Sequence, residues 1–174
     1  GDGTVDNERL GMSGFLYYNN DPSPVNGNPN VASDFYKYMT MTWRNGQPVT
    51  YGGDGTASGT SASYMFPGNS DPLGFGTGSV QAPWDELSSG NVPSDRRGLG
   101  ASGPFTLMPG ASQQIDYAYV FGKAVSGSNM ASVTVMKNRI DSVKQKFNAG
   151  ITPCGCSSIT GIDTYSFDNA FSFY

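Results

Sequence analysis

Glycine and proline recur so densely in this chain, 24 and 11 times in 174 residues, that a bundle of long helices is a poor solution for it. Two segments nevertheless carry helical spacing. From Val31 to Arg44, the residues Ala32, Phe35, Tyr36, Met39 and Trp43 fall on one face at intervals of three and four, and Asn45 and Gly46 stand where a C-terminal cap is expected. From Ser128 to Asn148, Val133, Met136, Ile140, Val143 and Phe147 repeat the spacing with Lys137, Arg139, Lys144 and Lys146 around the remainder. Ser128 or Asn129 can cap its start, the basic residues near its end suit the helix dipole, and Gly150 ends it.

The rest reads as short strands between turns. Glu8 to Tyr18 is one, closed by Asn19, Asn20, Asp21 and Pro22; Pro48 to Tyr51 and Tyr64 to Phe66 are shorter pieces. Pro104 to Leu107, the turn Met108, Pro109, Gly110, and Gln113 to Ala124 form the clearest strand, turn, strand pattern. In its second arm Ile115, Tyr117, Tyr119 and Phe121 alternate with Asp116, Ala118 and Val120, so both faces could be covered, as in a central sandwich strand. Asn69 to Gly100 is irregular and either functional or pinned by its aromatic residues. The expected fold is α+β or mainly β: an antiparallel β-sandwich-like sheet with two amphipathic helices packed on it.

The net charge of -4, with no basic run longer than Arg96, Arg97, argues against nucleic acid or an anionic membrane as partner. The apolar run Tyr117 to Phe121 is far too short to span a bilayer as a helix. The two cysteines, Cys154 and Cys156, flank Gly155; a disulfide across one residue is strained but eased by the glycine, and bonded and free thiols both remain open.

There is no histidine, which excludes Ser-His-Asp and Cys-His nucleophiles and His-based metal sites. Paired carboxylates could still act, but Asp85 and Glu86 read as solvated loop residues. Asp95 beside Arg96 and Arg97 reads as an ion-paired turn holding the long loop, with an arginine stacked on Trp84 or a tyrosine. Trp43, Phe35, Tyr36, Tyr117, Tyr119 and Phe121 are assigned to the core, which leaves Trp84 as the exposed ring available to a ligand such as a sugar. No enzymatic activity is expected.

The C-terminal Phe171, Ser172, Phe173, Tyr174 resembles the lead-in to the C-terminal sorting domain of proteins exported by the type IX secretion system of Bacteroidota, where P-N-P would follow. Asn7 to Met12 with Tyr17 to Asn20, the Trp43 to Gly46 turn, Gly90 to Arg97 and Ser102 to Gly110 look like a module found just ahead of that sorting domain. The likeness covers residues 7 to about 149. It implies three parts: an acidic remnant or linker at 1-6, one globular module at 7-150, and an extended linker at 151-174 toward an absent sorting domain. Both ends are therefore expected to be interior sequence of a longer polypeptide.

Gly1 to Asp6 also resembles the end of an acidic calcium-binding repeat, with Asp2 and Asp6 as candidate ligands and calcium as the one cofactor implied. The resemblance implies a secreted, cell-surface or extracellular protein. Its function would be that of a non-catalytic structural or interaction module, part of an adhesin or surface appendage, whose partners are other domains or subunits and the export machinery. The alternative is a glycan-binding accessory module of an exported hydrolase.

Overall fold

The computed structural model describes residues 10-113 and 115-150; Asp2, Asp6, Cys154 and Cys156 lie outside them. The chain divides into two compact units, one running to Asp116 and the other beginning at Tyr117. The elements are mixed α and β: strand β1 (Gly14–Asn19), helix α1 (Ala32–Met39), strand β2 (Arg96–Ala101) and helix α2 (Asn129–Asn148).

In the first unit β1 and β2 form a two-stranded antiparallel sheet in which Leu16 faces Leu99 and Tyr18 faces Arg97. The far edge of β1 is occupied as well. The Phe15 amide donates to Ser63 O at 2.8 Å and the Met65 amide returns to Phe15 O at 2.8 Å, a parallel bridge that lays residues 63-65 beside the strand. Gly14 and Leu16 point inward, as strand alternation requires. A Cβ on Gly14 would lie 2.7 Å from Met41 Cγ, so this position admits Met41 only because it has no side chain.

Met41 explains where α1 stops. The helix ends at Met39, well before the expected Asn45 and Gly46 cap. Met41 takes a left-handed φ of 53°. The Thr42 amide reaches back to Lys37 O at 2.8 Å and the Met41 amide to Tyr38 O at 3.1 Å. This pair of bonds is the Schellman arrangement that usually employs glycine; here packing of Met41 over Gly14 offsets the left-handed strain. Asn45 and Gly46 instead make a tight turn, with the Gly46 amide on Trp43 O at 2.8 Å and the Trp43 amide on Gln47 O at 2.8 Å. That turn brings Thr42 and Pro48 into an antiparallel bridge, and a second bridge joins Thr50 to Ser61. Asn-Gly acts here as a reversal signal.

The buried face of α1 also differs from the expected one. Phe35, Tyr36 and Met39 are 47%, 60% and 47% exposed, whereas Asp34 and Tyr38 are buried. The Asp34 carboxylate accepts the Asn30 amide at 3.0 Å and meets Arg44 Nε at 3.3 Å. The first of these contacts, ahead of the arginine charge, holds its carboxyl below the ordinary value. Arg44 in turn donates to Ser23 O at 3.0 Å, and Lys37 Nζ to Arg44 O at 2.6 Å.

The core gathers Leu16, Tyr38, Trp43, Val49, Ala62, Met65 and Trp84, flanked by Tyr17, Tyr18, Val25, Met41, Tyr51, Phe66 and Leu99. Each buried ring with a polar atom is satisfied: Tyr38 donates to Gly27 O at 2.6 Å, and Trp43 Nε1 to Gly55 O at 2.6 Å. Asp95 immediately precedes β2, and among the described residues it is held by Asn20 rather than by an arginine. Its carbonyl accepts the Asn20 amide at 3.0 Å and its carboxylate takes the Asn20 side chain. The expected stacking of an arginine on a tyrosine is present, with the Arg96 guanidinium 5.4 Å from the Tyr17 ring centre.

The second unit is built on α2. Ser128 stands extended at its N-cap, the Met130 amide is taken by Asn129 Oδ1 at 3.0 Å, and Gly150 leaves the helix with φ of 69°. The expected limits of this helix hold. Residues 120-124 run beside it: a Cβ on Gly122 would lie 2.5 Å from the Met136 amide nitrogen, and Arg139 donates to Phe121 O at 2.7 Å. Where the chain turns into the helix, the Ala124 amide donates to Ser132 Oγ at 3.1 Å.

Neither Pro104–Leu107 nor the described part of 113-124 is a strand, which corrects the expected strand, turn, strand unit. A segment becomes a strand through a neighbour's backbone, and among the described residues no such backbone bond joins 104-107 or 117-124 to another segment. Only half of the expected two-sided burial is present. Val120 and Gly122 are partly buried, while Tyr117, Tyr119 and Phe121 are 80%, 95% and 74% exposed.

Candidate functional site

The irregular segment before β2 closes over β1 around Trp84, and this is where the residues singled out in the sequence converge. Trp84 is 3% exposed, so the expectation of a solvent-facing ligand ring is corrected. Its ring centre lies 4.8 Å from that of Tyr51 and 4.7 Å from that of Phe66. Its Nε1 donates to Gly53 O at 3.0 Å and to Ser89 Oγ at 2.9 Å. Its backbone carbonyl accepts the Gly68 amide at 2.8 Å. The indole thus ties three stretches of loop together, and irregular backbone does not imply an exposed side chain.

Beside it lies a polar cluster that sequence reading missed. Tyr17 donates to Glu86 Oε1 at 2.8 Å and accepts from Asn91 Nδ2 at 3.3 Å, while Arg96 covers its ring and donates to Val92 O at 3.0 Å. Burial, then the bond to Glu86, raises the Tyr17 phenol above its ordinary value. The only prior signal was the strand alternation that puts Tyr17 opposite Leu16 and Tyr18.

Asp85 and Glu86 do different work. Asp85 Oδ1 accepts the Ser88 amide at 2.6 Å, and Ser88 Oγ accepts the Asp85 amide at 3.2 Å, a reciprocal turn that lowers the Asp85 carboxyl. Glu86 is engaged with the strand through Tyr17. The chemistry of the cluster is therefore the chemistry of loop fastening around stacked rings, with Arg96 Nε left as a buried donor that no acceptor meets among the described residues.

Replacing Trp84 by phenylalanine should keep the stacking but strand Gly53 O and Ser89 Oγ. A loss of about 1 kcal/mol is expected in urea unfolding, the net worth of a hydrogen bond whose acceptors can be rehydrated. No change in the midpoint would mean that the indole nitrogen does not anchor the loops.

Among the described residues, no group of three or more His, Cys, Asp or Glu is placed to hold a metal ion, and no helix is long and apolar enough to cross a membrane. The candidate calcium ligands Asp2 and Asp6 and the pair Cys154, Cys156 lie outside those residues. No family model, curated protein or solved structure matches the chain.

Proposed function

We propose that the chain is a non-catalytic structural or interaction module of a secreted, cell-surface or extracellular protein exported by the type IX secretion system, part of an adhesin or surface appendage. In this reading residues 115-124 contribute a strand to a β-sandwich, calcium binds at Asp2 and Asp6, and the partners are neighbouring domains or subunits. The observation that supports it most is the placement of aromatic side chains. Trp84 is consumed in fastening loops, while Tyr117, Tyr119 and Phe121 stand outward on a segment whose other face lies along α2. An outward row of large rings is the surface that associating proteins carry. The glycan-binding alternative called for Trp84 and other rings exposed in a row; Trp84 is buried, while Tyr117, Tyr119 and Phe121 are exposed, and these rings keep it as the second reading.

The test is fractionation of native-source cells with and without a working type IX export apparatus, followed by intact-mass measurement. The expected result is surface or extracellular protein in the first case and its retention inside the outer membrane in the second. Identical distribution in both would overturn the export reading.

A further inference from the structure

We infer that Asn45 is a self-modification site: its side-chain amide is lost to attack by the Gly46 backbone nitrogen, and the fold directs this reaction to Asn45–Gly46 rather than to Asn26–Gly27, the other Asn-Gly pair of the chain.

Asparagine is a labile residue, and most exposed to this attack where the next residue is glycine, with no side chain to shield the nitrogen. Three observations separate the two pairs. First, the side chains fold in opposite directions. Asn45 Oδ1 accepts the Gln47 amide at 3.0 Å, which carries the side chain forward over the Gly46 peptide, the direction in which Cγ must approach the Gly46 nitrogen, and polarises its carbonyl toward attack. Asn26 Oδ1 instead takes Asn19 Nδ2 at 3.5 Å, backward onto β1.

Second, the surroundings of the nucleophile differ. Gly46 is exposed, and a Cβ there would meet nothing within 4 Å; Gly27 is buried, and its Cβ would lie 2.4 Å from Ser23 O. Third, the two glycines are held unequally. The Gly46 amide donates to Trp43 O at 2.8 Å and the Gly27 amide to Ser23 O at 3.2 Å. Freeing Gly46 opens one surface turn, whereas freeing Gly27 also disturbs the buried Tyr38 hydroxyl bonded to its carbonyl. Asp54–Gly55 shares the forward fold, with Asp54 Oδ1 on the Thr56 amide at 3.1 Å, but Gly55 is buried and a carboxyl has no ammonia to expel.

In the reaction the Gly46 nitrogen gives its proton to hydroxide and bonds to Asn45 Cγ. The Cγ–Nδ2 bond breaks, and ammonia leaves with a proton from water, closing a succinimide. Water then adds to either ring carbonyl: breaking the bond from Cγ to the Gly46 nitrogen yields aspartate, and breaking the bond from the backbone carbonyl carbon yields isoaspartate. The net exchange is water in and ammonia out. Either product adds a negative charge, and isoaspartate lengthens the turn by one methylene. That turn pairs Thr42 with Pro48 and brings the Trp43 amide to Gln47 O at 2.8 Å, so lengthening it loosens the backbone that carries the fully buried Trp43.

The experiment is incubation of the whole chain in mildly alkaline buffer, native and unfolded in urea, followed by peptide mapping that separates aspartate from isoaspartate. In the native chain Asn45 should lose its amide about tenfold or more faster than Asn26, because exposed turns open at little free-energy cost and buried segments at much of the global one. In urea the two should react at comparable rates. The aged chain should unfold at lower urea than Asn45→Asp, which carries the charge without the longer backbone. Asn45→Ser, which keeps a side-chain acceptor for the Gln47 amide, should age without that loss.

Equal native rates at Asn45 and Asn26, or an Asn45 that reacts in urea and not in the native chain, would overturn the assignment. Aspartate without isoaspartate would overturn attack by Gly46 in favour of direct hydrolysis. An aged chain as stable as Asn45→Asp would overturn the consequence for Trp43.

Discussion

Trp43→Ala should leave the first unit largely unfolded in a concentration of urea that the wild type and Phe35→Ala both withstand. Trp43 has no exposed surface, packs edge to face against Tyr38 at 5.8 Å between ring centres, and gives its Nε1 hydrogen to Gly55 O. Removing it empties a ring-sized volume and leaves that carbonyl without its donor, a loss of about 3–5 kcal/mol. Domains of this size are stable by only about 5–15 kcal/mol. Phe35 is 47% exposed, so its truncation should cost less than about 1 kcal/mol. Trp84, the remaining tryptophan of the two, reports unfolding by fluorescence in both variants. Equal midpoint shifts would show that the helix packs by its other face.

A second large effect is expected at alkaline pH. Burial raises the Tyr38 phenol from 10.0 to about 12. Its contribution to stability is complete below pH 10, where both states hold the proton. It is lost as pH rises through the window from 10 to about 12, because the unfolded chain ionises first. Tyr17 and Tyr51 are shifted in the same direction, mainly by burial, and steepen the same limb. Tyr38→Phe should therefore flatten the decline between pH 10 and 12. At neutral pH it should lower stability by about 1–2 kcal/mol through the stranded Gly27 carbonyl. Denaturant midpoints at pH 7, 9, 10.5 and 11.5 would check this; an unaltered alkaline slope would remove Tyr38 from the explanation.

The sequence was most legible where local signals and packing agree. The α2 helix has a serine at its N-cap position, a glycine beyond its end and apolar spacing between, and its limits follow. The α1 helix was legible as an element but not as a packed face. Amphipathic reading sends polar residues outward, whereas Asp34 is buried through Arg44 and the Asn30 amide, and Tyr38 through two loop carbonyls. Strand β2, with the sequence RRGLGA, carries little strand propensity. Its glycines leave room for neighbours, since the Phe15 ring would lie 3.4 Å from a Cβ on Gly98. That information resides in the partner strand. The aromatic alternation of 115-121 was read correctly as a pattern, but burial of both faces needed a neighbour that periodicity cannot supply. At Trp84, turn-rich sequence located a loop without showing that the loop wraps inward.

The way the core rings finish their hydrogen bonds has an engineering consequence. Tyr38, Trp43 and Trp84 end on the carbonyls of Gly27, Gly55 and Gly53, groups that every amino acid possesses. The rings hold the loops by their backbone, although Gly27 and Gly55 themselves are constrained, since a Cβ would lie 2.4 Å from Ser23 O at the first and 3.3 Å from the Trp43 ring at the second. Ser58 and Gly59, which are exposed and lie between the Ala57 carbonyl held by Thr50 and the Thr60 carbonyl held by the Tyr51 amide, form a natural insertion point for foreign peptide. A tag or epitope grafted there would be held at its base by Thr50 and the Tyr51 amide while its own side chains stayed free for recognition.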